Sequence, residues 1–185
     1  MASDRLTEIL DATYECLTRY GIRRTTMDDI ATTVGVSRSA VYQYVRSKDD
    51  AVRRLVERLH HRTLAQAAEV AATDRDPAER VHGVLTAKLD LVLDLAGDSA
   101  HAAELLDAKA RLYGDICADF TTRLKHLLTD VFTDAGLTGI APADAADISI
   151  ALVVGLESHP DARRLLGPAT ESFLAGLPGM PARGH

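Results

Sequence analysis

With 46% hydrophobic residues in a chain of 185, there is ample material for a core, and a disordered chain is excluded. Aromatics amount to only 4% while alanine and leucine abound, which favours helices over strands. The net charge of −6 argues against nucleic acid only on average: residues 1–54 hold nine Lys/Arg against eight Asp/Glu and residues 55–185 twelve against nineteen, so the acidity belongs to the second part.

A first helix is expected from Asp4 to Tyr20, where Leu6, Ile9, Leu10, Thr13, Leu17 and Tyr20 share a face and Gly21 follows as a stop. Thr26-Met27-Asp28-Asp29 has the form of a capping box, in which the Thr hydroxyl accepts from the third residue's N–H and Asp29 answers it. It opens a two-turn helix with Met27, Ile30, Ala31 and Val34 inward, closed by Gly35. Ser37 caps a second short helix, Arg38 to about Val45, and Ser47 caps a longer one from Lys48 to about Ala71. No proline-rich linker or repeat intervenes, so a continuous helix is expected at the join. Further helices are predicted from Pro77 to about Leu95, Ser99 to Tyr113, Asp115 to about Ala135, Ala143 to Ser158 and Pro160 to about Gly176, with a fraying tail from Leu177 to His185. The fold class is therefore all-α: an N-terminal three-helix unit over residues 1–47, then a helical bundle over 48–185.

A long helix, a short helix, a glycine turn and a second short helix is the layout of a DNA-binding helix-turn-helix. Gly35-Val36-Ser37 permits the change of direction, Val36 fills the angle, and Ala31 is small where the helices approach. Arg38, Ser39 and Gln43 are the exposed candidates for base edges, with Val41 and Val45 turned inward; Arg forks onto guanine and Gln onto adenine. Thr26, Tyr42, Tyr44 and Lys48 suit phosphate, and the capped helix start at Lys48 adds a favourable dipole. Arg38, Arg46, Lys48, Arg53 and Arg54 outnumber Asp49 and Asp50 here, giving a basic end on an acidic body.

Residues 25–51 resemble the signature of the TetR family of repressors: Thr26, Ile30, Ala31, Gly35, Val36, Ser37, Tyr42, Tyr44, Lys48 and Asp49 match it. Val45 stands where Phe is usual, a smaller plug under the recognition helix, and Ala40 where a small hydroxyl residue is common. The match covers about residues 5–55, and beyond it the likeness is one of architecture, including the ending Glu171 to Leu177. The resemblance implies a homodimer that binds double-stranded operator DNA, with a small-molecule effector and the dimer contact in the variable part. It identifies no ligand and does not separate a repressor from an activator without an effector.

Other features have plainer readings. Cys16 and Cys117 stand alone beside helical apolar stripes, and buried structural thiols are favoured over a disulfide, redox switch or metal site. Glu57 with His60 and His61, and His101 with Glu104, have ligand-like spacing without completing a set, so no metal and no cofactor is expected. Asp90 and Asp94 lie opposite an apolar stripe and read as a solvated face. Lys109 lies on the apolar side of its helix and must snorkel, pair or face a pocket; with His101, Leu105 and Tyr113 it marks a candidate effector pocket. The run Ile148 to Leu156 is apolar all round, more than the final helix can cover, so Val153, Leu156 and Phe173 are assigned to a dimer interface. A small helical enzyme is the rival reading, but no nucleophile–base pair, phosphate loop or metal set can be read. No stretch approaches a membrane span and Met1-Ala2-Ser3-Asp4-Arg5 begins no signal peptide, so a cytoplasmic protein is expected.

Overall fold

The computed structural model describes residues 2–96 and 112–180, and these contain eight helices and no strand. They are α1 (Ala2–Arg24), α2 (Met27–Val34), α3 (Arg38–Val41), α4 (Lys48–Ala71), α5 (Pro77–Ala96), α6 (Gly114–Asp134), α7 (Pro142–Leu156) and α8 (Ala162–Ala175). The helix expected from Ser99 to Tyr113 lies almost wholly outside the described residues. No described helix is long and apolar enough to cross a membrane. Two compact units are formed, one from Met1–His60 with Leu95–Cys117 and the other from His61–Asp94 with Ala118–His185.

In the first unit, α1 runs on past the expected stop. Gly21 takes φ 78° and ψ 164°, which kinks the helix, and one further turn follows before Arg24. Thr25, fully buried, closes that turn by donating its hydroxyl to the Gly21 carbonyl at 2.7 Å. A core of Ile9, Ala12, Cys16, Met27, Ile30, Ala31, Val41, Val45 and Ala51 ties α1, α2, α3 and the start of α4, with Val36 packed against it from the turn. Ala31 and Val36 thus occupy the places expected of them. Gly35 sits at φ 77°, ψ 32°, a left-handed conformation that a side chain would strain, and its N–H donates to the Ala31 and Thr32 carbonyls. A second cluster joins Leu10, Leu17 and Ile22 of α1 to Val52, Leu55 and Val56 of α4 and to Tyr113.

Arg53 of α4 closes this unit from the outside. Its guanidinium donates to both carboxylate oxygens of Asp115, at 2.8 and 2.6 Å, and to the Leu112 carbonyl at 2.9 Å. The Arg53 hydrogen bond outweighs desolvation and pulls the Asp115 carboxyl from its ordinary 3.8 down to about 2. A carboxyl depressed in the folded state stabilises the fold above its unfolded value and loses that contribution as pH falls through the folded one. Thermal melts of Asp115→Asn are therefore expected to fall less steeply than wild type between pH ~4 and ~2, and to match its slope above that window. Parallel curves throughout would show that the pair does not couple to folding.

In the second unit α7 buries Ala145, Ala146, Ser149, Ile150 and Val153 and packs against α8, whose Ala162, Leu166, Thr170 and Leu174 are buried. Ile148 and Val154 remain exposed, at 44% and 47%. This corrects the expected interface: Val153 is fully buried within its own unit and belongs to the core, because the helix turns Ile148, Ala151 and Val154 outward. Leu156 and Phe173 are half-buried. Asp90 and Asp94 are not merely solvated, since both hold Arg163 of α8, at 3.1 and 2.7 Å. The tail is tied at its start: the Thr138 N–H donates to the Pro178 carbonyl at 2.9 Å, where fraying was expected.

Candidate nucleic-acid interface

Three hydroxyl caps build this surface. Asp29 N–H donates to Thr26 Oγ1 at 3.2 Å while the Thr26 N–H donates to the Asp29 carboxylate at 2.8 Å, completing the expected box. The Thr26 hydroxyl also donates to that carboxylate at 2.7 Å, and the pair of bonds holds the Asp29 carboxyl below its ordinary range. Ser37 Oγ accepts from the Ala40 N–H at 3.2 Å, and Ser47 Oγ from the Asp50 N–H at 3.1 Å. Each cap satisfies a helix-end donor and fixes where the next element starts.

The second helix of the motif is tighter than expected. Only Arg38–Val41 is α-helical, and the segment reaches Val45 through shorter turns, Gln43 N–H to the Ala40 carbonyl and Tyr44 N–H to Val41. Val41 and Val45 point into the core and Ser39, Tyr42 and Gln43 out of it. The inward–outward division therefore survives the change in helix type.

Arg38 is held from two sides. Nη1 donates to Asp28 at 3.2 Å and Nη2 to the Tyr42 hydroxyl at 3.3 Å, with the guanidinium carbon 5.6 Å from the Tyr42 ring centre. Asp28 was not singled out in the sequence, because its link to Arg38 spans ten positions and a turn. Both side chains remain more than half exposed, so the fork is presented rather than sequestered.

Several residues assigned to phosphate are otherwise engaged. The Lys48 ammonium donates to the Ile22 carbonyl at 2.8 Å and to Arg23 at 3.4 Å, capping the end of α1 and tying it to α4. A cation at helix-end carbonyls is favoured by the dipole there, and two of the three donors of the ammonium are engaged inside the fold. The Thr26 hydroxyl caps α2, the Ser37 hydroxyl caps α3 and meets Ser39 Oγ at 2.9 Å, and Tyr44 is half-buried against the first core. Arg38, Ser39, Tyr42 and Gln43 all face outward.

His101, Leu105 and Lys109 lie outside the described residues. Tyr113 is buried in the second cluster of its unit, and desolvation, with Cys117 nearby, pushes its phenol up to about 12. A cleft in this unit, lined by Tyr14, Leu17, Thr18, Val52, Leu55, Val56 and Leu95, offers about 20 Å³. That holds a water or two, against the ~300–1,000 Å³ of a small-molecule site. Among the described residues no group of three or more His, Cys, Asp or Glu is placed to hold a metal ion.

Residues 9–55 match the family described as bacterial regulatory proteins, tetR family. The chain is 31% identical over 119 residues to the probable HTH-type transcriptional regulator ArpR of Pseudomonas putida, covering 63% of this chain and 55% of that one. It is equally close, over the same shares, to the HTH-type transcriptional regulator TtgR, also of Pseudomonas putida. The chain thus spans about half the length of both relatives. Among solved structures it resembles SmeT, the repressor of the Stenotrophomonas maltophilia multidrug efflux pump SmeDEF, with a TM-score of 0.68, 22% identity and coverage of 97% and 94% of the two chains. A TetR/AcrR-family regulator from Thermobifida fusca gives 0.68, 22%, 94% and 98%. At such identity these structures speak to the fold, which they share over nearly its whole length.

Proposed function

We propose that this chain, whose residues 9–55 match the tetR family of bacterial regulatory proteins, is a ligand-responsive repressor that binds a near-palindromic operator as a homodimer. The observation that carries it is the exposed row Arg38, Ser39, Tyr42 and Gln43 on a capped turn whose opposite side, Val41 and Val45, is anchored in the core. Such a turn is a rigid probe for a major groove, and its side chains are those that read guanine and adenine edges. Residues 1–47 are the DNA-binding part and 48–185 the effector and dimer part, working in the bacterial cytoplasm.

Dimerisation rests on the outward stripe of α7, with Ile148, Ala151 and Val154, and on the half-buried Leu156 and Phe173. A two-fold pair would set two recognition turns about 34–36 Å apart, one helical repeat of DNA. The effector site is assigned to the segment of His101, Leu105 and Lys109 leading into Tyr113, where the sequence sets polar residues among apolar ones. An effector that binds one arrangement of the dimer better than the DNA-bound one lowers operator affinity by that difference. SmeT, whose fold this chain shares, is a repressor, which supports that sign of control.

The test is selection of bound DNA from a random pool, followed by titration of single-base variants of the winning site. Arg38→Ala and Gln43→Ala are each expected to flatten preference at one or two positions, at roughly 1–3 kcal/mol apiece. Mutants that keep the wild-type preference profile would remove these residues from base readout. A pool that yields no enriched site would remove the regulator reading itself.

A further inference from the structure

Cys117 and His60 meet in the first unit, away from the caps that build the DNA-facing surface. His60 of α4 is 8% exposed, and its Nδ1 lies 2.8 Å from the Val56 carbonyl one turn back. A carbonyl oxygen only accepts, so Nδ1 carries a hydrogen and donates it. The other ring nitrogen, Nε2, lies 3.5 Å from Sγ of Cys117 on α6. With Nδ1 fixed as a donor, Nε2 and sulfur share one proton, as thiol with neutral ring or as thiolate with imidazolium. That is the arrangement by which a base activates a thiol nucleophile.

The second cysteine provides an internal contrast. Cys16 is 1% exposed, its Sγ lies 3.4 Å from the Thr33 hydroxyl, and burial pushes its thiol up. Cys117 is half-buried, with the His60 imidazole against its sulfur. Around it the second cluster supplies Leu59, Leu112 and Ile116, and the buried Tyr113 phenol stays neutral well above physiological pH. The neighbourhood suits an uncharged apolar reagent and disfavours an ionic one.

We propose that Cys117 is a covalent modification site for small apolar Michael acceptors, enones or quinones, with His60 as its base. Nε2 takes the thiol proton, the sulfur electron pair forms a bond to the β-carbon, and the alkene π pair moves to give the enolate. The proton then passes from Nε2 to the α-carbon, leaving a thioether with all atoms retained and no oxidant consumed. The adduct adds bulk beside the cluster that joins α1 to α4, the two helices that also frame the helix-turn-helix. Resting on the DNA reading above, modification therefore weakens operator binding.

The full chain would be treated with N-ethylmaleimide and the labelling rates of both cysteines followed by mass spectrometry, with glutathione as the solvent-exposed reference. Cys117 is expected to react at least about tenfold faster than glutathione and faster still than Cys16. His60→Gln, with an unchanged circular dichroism spectrum, should slow Cys117 by about tenfold or more. A wild-type Cys117 rate no higher than that of glutathione overturns the site whatever His60→Gln does, and equal rates in wild type and variant overturn the role of His60. For the regulatory half, fully labelled wild type should lose at least about tenfold in operator affinity while treated Cys117→Ser keeps it; unchanged affinity on labelling overturns that half. Untreated protein that binds no selected DNA would instead count against the repressor reading, and the labelling rates would still decide the site.

Discussion

Val154→Glu is expected to give a folded monomer whose operator affinity has collapsed toward the non-specific level, with Kd on the order of 10⁻⁴–10⁻⁶ M. Val154 is 47% exposed and Ile148 44%, on the same side of α7 with Ala151 between them. A carboxylate on that side costs the isolated subunit little, because water reaches it. In a two-fold contact the same stripe meets its copy, so two carboxylates would be desolvated side by side, at several kcal/mol. In the proposed homodimer each subunit reads half of a palindrome, so loss of the dimer would remove half of the contacts. Sedimentation at micromolar concentration, circular dichroism and a gel-shift titration check the three parts. Val153→Glu is the control with the opposite signature: Val153 is fully buried, so the charge there should cost folding rather than association. A Val154→Glu protein that still sediments as a dimer would move the interface elsewhere.

The contrast between Val153 and Val154 also marks where sequence reading stops. The helix-turn-helix was legible because its determinants are local: Thr26 and Asp29, Ser37 and Ala40, and Gly35 act within three or four positions of each other. The phase of α7 was not, since Ile148 to Leu156 offers no charged residue to mark a solvent side. A helix that is apolar all round predicts burial on two faces but not which residue takes which. Long-range partners were equally hidden. Lys48 spends its ammonium on carbonyls more than twenty positions back, and Arg163 finds Asp90 and Asp94 from another helix. The same limit hid the imidazole beside Cys117, which read as an ordinary core thiol until α4 and α6 were placed together.

Glu157→Leu is expected to destabilise the fold by about 3–5 kcal/mol, and Lys88→Met in the same background to restore most of that loss. Lys88 lies on the inward side of α5 between Leu85 and Leu89, and its side chain is 7% exposed; its ammonium donates to Glu157 Oε1, whose side chain is 19% exposed. Glu157 follows the last turn of α7, where the carbonyl end of the helix repels a carboxylate. Lys88 offsets both the carboxylate and that helix end, which accounts for an acid at a position the dipole disfavours. Removing Glu157 leaves an ammonium with its partner gone and little water to replace it. Removing Lys88 alone should cost less, because Glu157 retains more access to solvent. Removing both exchanges the ion pair for two apolar side chains of similar size, a swap that is often neutral or better because neither charge need be desolvated. Denaturant unfolding of the four proteins gives the coupling directly, as the amount by which the double variant is more stable than the two single losses predict. Additive losses would mean that the two charges do not stabilise one another, and the inward placement of Lys88 would then need another account.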